Sequence, residues 1–265
     1  MSCCLKSHIV VEYLHAEVKK RDTRFESLQK KILAIELLRL LKKVYTYEEL
    51  SKSLGLPITV INRYVKGHVL PREERAEEII KFAQKEINLR QEIRRRIKFD
   101  ENGYFNNMEI LSDTHLLKLI AKIVAEKFRK FNITKVLTAA VDGIPLAVHI
   151  ASELGVDMVF AKKEKEVGVK EFLEEVYAPS FSGMLVSLYL PKGLIKPNDC
   201  VLIVDDVMRS GETQKALINL ARKAGARVAG VFILIAIGDR WKDKIPADSD
   251  FQLEIFLHLK EPYAT

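Results

Sequence analysis

Cysteine is scarce in this chain of 265 residues: there are three, Cys3 and Cys4 side by side and Cys200 inside an apolar stretch. Three cannot form a disulfide framework, and no histidine stands at metal-ligand spacing from them. Reduced thiols are therefore expected, and no resident metal site is. Long hydrophobic runs are missing too. The longest, Val228–Ile237, is ten residues with a glycine inside it, too short to span a bilayer, so no membrane partner is expected. The opening Met1-Ser-Cys-Cys-Leu-Lys has no signal-peptide core, which makes a cytoplasmic location the expectation. The six histidines are scattered, and none is assigned a catalytic role.

What is present is apolar and charged in globular proportions: 48% hydrophobic and 30% charged residues, with a net charge of +7. The length fits one or two domains. The charge is unevenly placed. Residues 1–99 hold 22 Lys and Arg against 13 Asp and Glu, whereas the remaining 166 residues hold 21 against 23. A basic first part joined to a near-neutral second part is the footprint of a nucleic-acid binder with a separate second function. A solvated basic surface without a partner is the plainer alternative.

Residues 1–44 read as helix, with apolar positions recurring at Ile32, Ile35, Leu37, Leu38, Leu40 and Leu41. Tyr47–Lys66 reads as two short helices around Gly55-Leu56-Pro57, and residues 72–98 as one long charged helix. Asp100–Asn107 is polar and turn-rich, which places a domain boundary there: a helical domain over 1–99 and a second domain over 100–265. Beyond residue 110 the pattern alternates: helix 113–131, strand 135–141, helix 144–154, strand 158–161, strand 201–205, helix 212–224 and strand 228–237. Continuous apolar strands between amphipathic helices predict an α/β domain with a parallel sheet covered on both faces. The polar insert 162–182 reads as a lid or binding loop. Alternating apolar residues over 251–257 suggest a terminal strand.

The window 47–66 has the pattern of a helix-turn-helix. Leu50 and Leu54 face inward, Ser51 is small where the helices approach, Gly55 supplies the turn, and Leu56, Ile61 and Tyr64 fill the core. Thr59, Asn62, Arg63 and Lys66 are left exposed on the second helix as donors to phosphates or base edges of double-stranded DNA. The window resembles the Cro/repressor type of this motif.

Val201–Thr213 reads VLIVDDVMRSGET. Four apolar residues lead to Asp205 and Asp206, expected at the strand's C-terminal end, where carboxylates can accept hydrogen bonds from ribose hydroxyls. A short loop then opens a helix whose N–H groups and dipole favour a phosphate. Arg209, Ser210, Gly211, Glu212 and Thr213 form that cradle. A strand-loop-helix with solvated acids, or a receiver domain, are the alternatives for this segment.

The motif resembles the phosphoribosyl-pyrophosphate (PRPP) motif of type I phosphoribosyltransferases, over roughly residues 110–240. The resemblance implies a pyrophosphate loop at Val141, Asp142 and Gly143, basic pyrophosphate contacts at Lys162 and Lys163, and Mg²⁺ carried with PRPP. Many purine-converting members have an acid where this chain has Arg209, and a guanidinium cannot serve as a general base. Domain make-up resembles the phosphoribosyltransferase-fold transcriptional regulators, the bacterial purine repressors and the archaeal GfcR-type regulators. The segment Tyr177–Lys196 also resembles its counterpart in the purine repressors. The resemblance implies a DNA-binding regulator, not an enzyme, with PRPP or a nucleotide as effector and a homodimer or higher oligomer as the working form. An active nucleobase phosphoribosyltransferase is the alternative.

Overall fold

The computed structural model describes residues 24–86, 88–179, 184–245 and 250–262. They fall into two compact units, divided between Ile93 and Arg94.

The first unit is helical. The helix expected over 1–44 is observed as α1 (Arg24–Leu41), and its first 23 positions lie outside the described residues. Two short helices follow, α2 (Tyr47–Leu54) and α3 (Ile58–Val65). Thr46 starts α2 with a capping box: its hydroxyl accepts from Glu49 N–H at 3.2 Å, and Glu49 Oε2 accepts from Thr46 N–H at 2.7 Å. Gly55 ends α2 with φ +61°, in the left-handed region that a side chain disfavours. Leu38 and Leu41 of α1, Leu50, Ile61 and Ile79 form a buried core.

The long helix expected over 72–98 is instead two, α4 (Glu73–Glu86) and α5 (Leu89–Arg96). The Asn88 side chain accepts from Gln91 N–H at 3.1 Å, so it restarts the helix as an N-cap.

The second unit begins with an Asx turn. Asp100 Oδ1 accepts from Asn102 N–H and Tyr104 N–H, at 2.9 and 2.8 Å. Short α6 (Met108–Leu111) and long α7 (Thr114–Phe128) follow. Next come β1 (Lys135–Ala139), α8 (Gly143–Leu154) and β2 (Asp157–Ala161). β3 (Phe172–Tyr177), from the insert, then pairs antiparallel in a hairpin with β4 (Val186–Pro191), which lies beyond it. The insert, expected as a lid or binding loop, thus carries one strand, and its residues 180–182 lie outside the described ones. The chain continues through β5 (Cys200–Met208), α9 (Glu212–Lys223), β6 (Arg227–Ile237) and β7 (Gln252–Leu259).

The main sheet has the order β2-β1-β5-β6-β7, parallel throughout. The expected α/β parallel-sheet architecture, preceded by a helical region, is thus what is observed. From β1 the chain moves outward to β2; from β5 it moves the other way to β6 and β7. Right-handed crossovers in opposite directions put α8 and α9 on opposite faces, and a crevice opens where the order reverses, between β1 and β5.

Ten of the eleven residues in β6 are buried, as a central strand covered on both faces requires. Gly230 inside it makes room: a Cβ there would overlap the Phe128 ring of α7 and lie 2.9 Å from Gln252 O. Gly230→Ala is expected to lower the unfolding free energy by about 1–3 kcal/mol through overpacking, seen as an earlier urea midpoint by circular dichroism.

Candidate functional site

The crevice holds a cavity of about 720 Å³. Of the sequence-expected ligand residues, Val141, Asp142, Gly143, Lys162, Lys163, Asp205, Asp206, Arg209 and Thr213 all line it. Ser210, Gly211 and Glu212 complete the loop behind them without lining it. Three separate segments, after β1, after β2 and at the end of β5, are therefore brought to one place.

The strand carrying the two carboxylates runs farther than expected. It extends to Met208, so Asp205 and Asp206 lie within it, with Asp205 in register with Ile233. The expectation of acids at the strand terminus is corrected accordingly. Both are nearly out of water, 6% and 7% exposed. Asp205 Oδ2 accepts from Gln214 Nε2 at 2.6 Å, and its Oδ1 accepts from Asp206 N–H at 3.1 Å. Asp206 Oδ2 accepts from Asn107 Nδ2 at 2.5 Å. The two donors that arrive from other segments are both neutral amides. Burial, and then the charge of Asp206, push Asp205 well above the usual carboxylate range; burial raises Asp206 as well.

Gly143 shows why this loop comes so close. A Cβ there would overlap Thr138 Oγ1 and lie 2.9 Å from Asp205 Oδ1, so only glycine lets the start of α8 pack on the acidic pair. On the other flank, Gly211 takes φ +82° at the N-terminus of α9, with Trp241 and Lys244 directly behind it. The loop Arg209–Thr213 thus ends in a helix start that presents main-chain N–H groups. Tyr177 of β3 stands 3.2 Å from Thr213 Oγ1, hydroxyl to hydroxyl, which ties the hairpin to this loop. Lys162 exchanges main-chain hydrogen bonds with Tyr189 of β4, at 2.9 and 2.7 Å, and its ammonium pairs with Glu166.

The Arg209 side chain turns away from that loop. Its Nη2 donates to Gly103 O at 2.5 Å, Nη1 lies 3.6 Å from Glu261 Oε1, and Cζ lies 5.4 Å from the Tyr104 ring centroid. Sequence reasoning missed Tyr104, Asn107, Gln214 and Glu261. Asn107 and Tyr104 sit in the segment read as a linker. Gln214 carried a signal: it is a polar residue on the same helical stripe as Leu217, Ile218 and Ala221, and it is 2% exposed.

Of the DNA-facing residues expected in the helical unit, Thr59 and Arg63 are exposed on α3, Asn62 is half-buried there, and Lys66 is exposed just past its end. Among the described residues no helix is long and apolar enough to cross a membrane.

Known proteins match this second unit. The phosphoribosyl transferase domain family matches residues 106–258. A protein of Streptococcus agalactiae named xanthine phosphoribosyltransferase is 37% identical over 124 residues, 46% of this chain and 64% of that protein. One of the same name from Streptococcus mitis is 39% identical over 124 residues, 76% of its length. The chain thus spans just under two thirds of the S. agalactiae relative. The solved adenine phosphoribosyltransferase of Rhodothermus marinus superposes with a TM-score of 0.58 at 25% identity, covering 64% of this chain and 98% of that one. These relatives carry the names of enzymes. They overturn the expectation of a non-enzymatic transcriptional regulator, which rested on basic charge, the helix-turn-helix pattern, the resemblance in domain make-up and at Tyr177–Lys196, and Arg209. The matched family segment lies wholly outside the basic helices 24–93 that suggested a regulator, and Arg209 lines the cavity with its guanidinium held by Gly103 and Glu261.

A consequence for stability follows from the buried pair. A carboxyl whose pKa is higher folded than unfolded binds more protons in the folded state between those two values. Stability therefore falls as pH rises through that window, starting from about 4, the unfolded value. Asp205→Asn is expected to raise the ligand-free melting temperature by a few degrees at pH 7. Calorimetry at several pH values should show the gain vanish near pH 4.

Proposed function

We propose that this chain, which belongs to the phosphoribosyl transferase domain family, is an active nucleobase phosphoribosyltransferase that converts PRPP and a base into a nucleotide and pyrophosphate. One observation carries the reading: a single cavity joins a buried pair of carboxylates to two main-chain loops suited to anions. The names of the relatives make xanthine the first base to test and adenine the second.

In this reading the amides and hydroxyls of Arg209–Thr213 hold the 5-phosphate at the start of α9. Asp205 and Asp206 accept from the ribose hydroxyls and lie under the sugar ring. Val141, Asp142 and Gly143 offer main-chain N–H groups to the pyrophosphate, with Lys162 and Lys163 adding positive charge. A ring nitrogen of the base forms a bond to C1 as the C1–O bond breaks, and that electron pair leaves with pyrophosphate. Positive charge grows on the sugar over the carboxylates while negative charge grows on the leaving group beside the lysines, so both ends of the site stabilise the transition state more than the ground state.

The donor set fits Mg²⁺. Among the described residues no cluster of three or more His, Cys, Asp or Glu could hold a metal unaided. Magnesium needs only one or two carboxylates beside substrate oxygens, and the acidic pair here is answered only by neutral side-chain amides. Asp205 and Asp206 would hold the ion, which when bound neutralises charge on the diphosphate.

A homodimer is supported by exposed apolar side chains on the hairpin and beside it, Val176, Met184 and Leu185. A cytoplasmic location is supported by the substrate, a multiply charged sugar phosphate that does not cross membranes unaided. For the helical unit we propose only contact with nucleic-acid phosphates by the exposed Arg63 and Lys66, with Thr59 and Asn62 alongside.

The test is release of pyrophosphate from PRPP and Mg²⁺, dependent on added base. Turnover with xanthine or another base is expected, and its absence across a panel of bases sinks the reading. Asp205→Asn should lower kcat/KM for PRPP by about 10- to 100-fold, the value of one or two hydrogen bonds to a charged group.

A further inference from the structure

The subsites assigned above leave one wall of the cleft unused. Both pyrophosphate segments follow β1 and β2, on one side of β5. On the other side, toward β6 and β7, the cavity is bordered by Arg209 and Tyr104, and Arg209 reaches Glu261 beyond the end of β7. Displacement at a sugar carbon brings the nucleophile to the face opposite the leaving group. A sugar held over Asp205 and Asp206, with its diphosphate toward β1, therefore meets its base at the Arg209 wall.

Arg209 is well fixed there. Gly103 O holds Nη2, Glu261 stands beside Nη1, and Tyr104 covers the guanidinium face. Gly103 and Tyr104 precede α6 and Glu261 follows β7, so one guanidinium joins both chain segments that border this wall. The Tyr104 ring, 65% exposed, offers a flat surface beside it on which a base can stack. A guanidinium carries five N–H donors, more than Gly103 and Glu261 take up.

We propose that Arg209 selects the base, its remaining donors reading the N7–O6 edge of a 6-oxopurine beside the Tyr104 ring. The inference rests on the transferase reading and names its substrate class. Hypoxanthine, guanine and xanthine all present two acceptors on that edge, which suits a fork of N–H donors. Adenine presents an amino donor next to N7, so N–H would meet N–H. The same charge answers the missing acid. Arg209 cannot accept the ring proton of the base; it favours the deprotonated base instead. The proton passes to water, the anion's ring nitrogen forms the bond to C1, and the C1–O electron pair departs with pyrophosphate.

The experiment measures kcat/KM for xanthine, hypoxanthine, guanine and adenine in the wild type and in Arg209→Met and Arg209→Lys variants, with PRPP affinity of each by titration calorimetry. Arg209→Met keeps an extended side chain against Tyr104 without donors. The wild type is expected to prefer the oxopurines over adenine by at least about tenfold, the order of one bidentate contact. Arg209→Met should lose that preference through the oxopurines alone and keep its PRPP affinity. Arg209→Lys should retain the wild-type pH profile for the base but regain only part of the preference. Equal use of adenine and oxopurines by the wild type, or a preference that survives in Arg209→Met, overturns the role of Arg209 and leaves the transferase reading standing. Loss of PRPP binding in Arg209→Met overturns it too, by assigning the side chain to the phosphate. No turnover with any base overturns the transferase reading and this inference with it.

Discussion

Asp205 and Asp206 are adjacent acids in the middle of a parallel sheet, where water is nearly absent and charge is costly. Much of the second unit is arranged to keep them there. Gln214 spends a core position of α9 on one of them, and Asn107 reaches Asp206 from 99 residues away in sequence. Gly143 gives up a side chain so that α8 can begin against the pair. These neighbours hold the two oxygen pairs in place without cancelling their charge. A site that is electrostatically incomplete on its own is one that gains from a ligand with hydroxyls to donate and a cation to share.

The sheet was legible in the sequence because its strands are buried on both faces and read as unbroken apolar runs, as in Val201–Val204 and Val228–Ile237. The loop Arg209–Thr213 was legible as a helix start because its pattern is local: glycine, hydroxyls and the first helical turn lie within five residues. The hairpin was not. Its first strand, FLEEVY, sits in a charged insert, and its partner lies beyond residues 180–183, so the pairing is carried by register rather than by composition. Asn107 and Tyr104 escaped for a related reason. Polar, turn-rich sequence describes a linker and the rim of an active site equally well, and only the fold shows that this stretch returns to the acids.

The basic helices led the functional reading astray. Their excess of positive charge is real, and α2 and α3 do pack around Gly55 with Leu50 and Ile61 in the core. Charge is a property of a surface, though, whereas reaction chemistry resides in a site. Arg209 misled in a similar way. Read alone, it was a lost acid. In the fold it is a donor clamped between Gly103, Tyr104 and Glu261, and the removal of a base need not be the removal of catalysis.

Trp241 is the chain's one tryptophan. It is buried, its indole N–H donates to Gly238 O at 2.9 Å, and the ring lies edge-on to His258 with centroids 6.0 Å apart. It also stands immediately behind Gly211, at the turn of the Arg209–Thr213 loop. The protein therefore carries its one tryptophan against the back of the Arg209–Thr213 loop, whereas the helical unit holds tyrosines (Tyr45, Tyr47 and Tyr64) but no tryptophan. Excited at the red edge of the indole band, where tyrosine does not absorb, its emission is a built-in optical gauge of that loop.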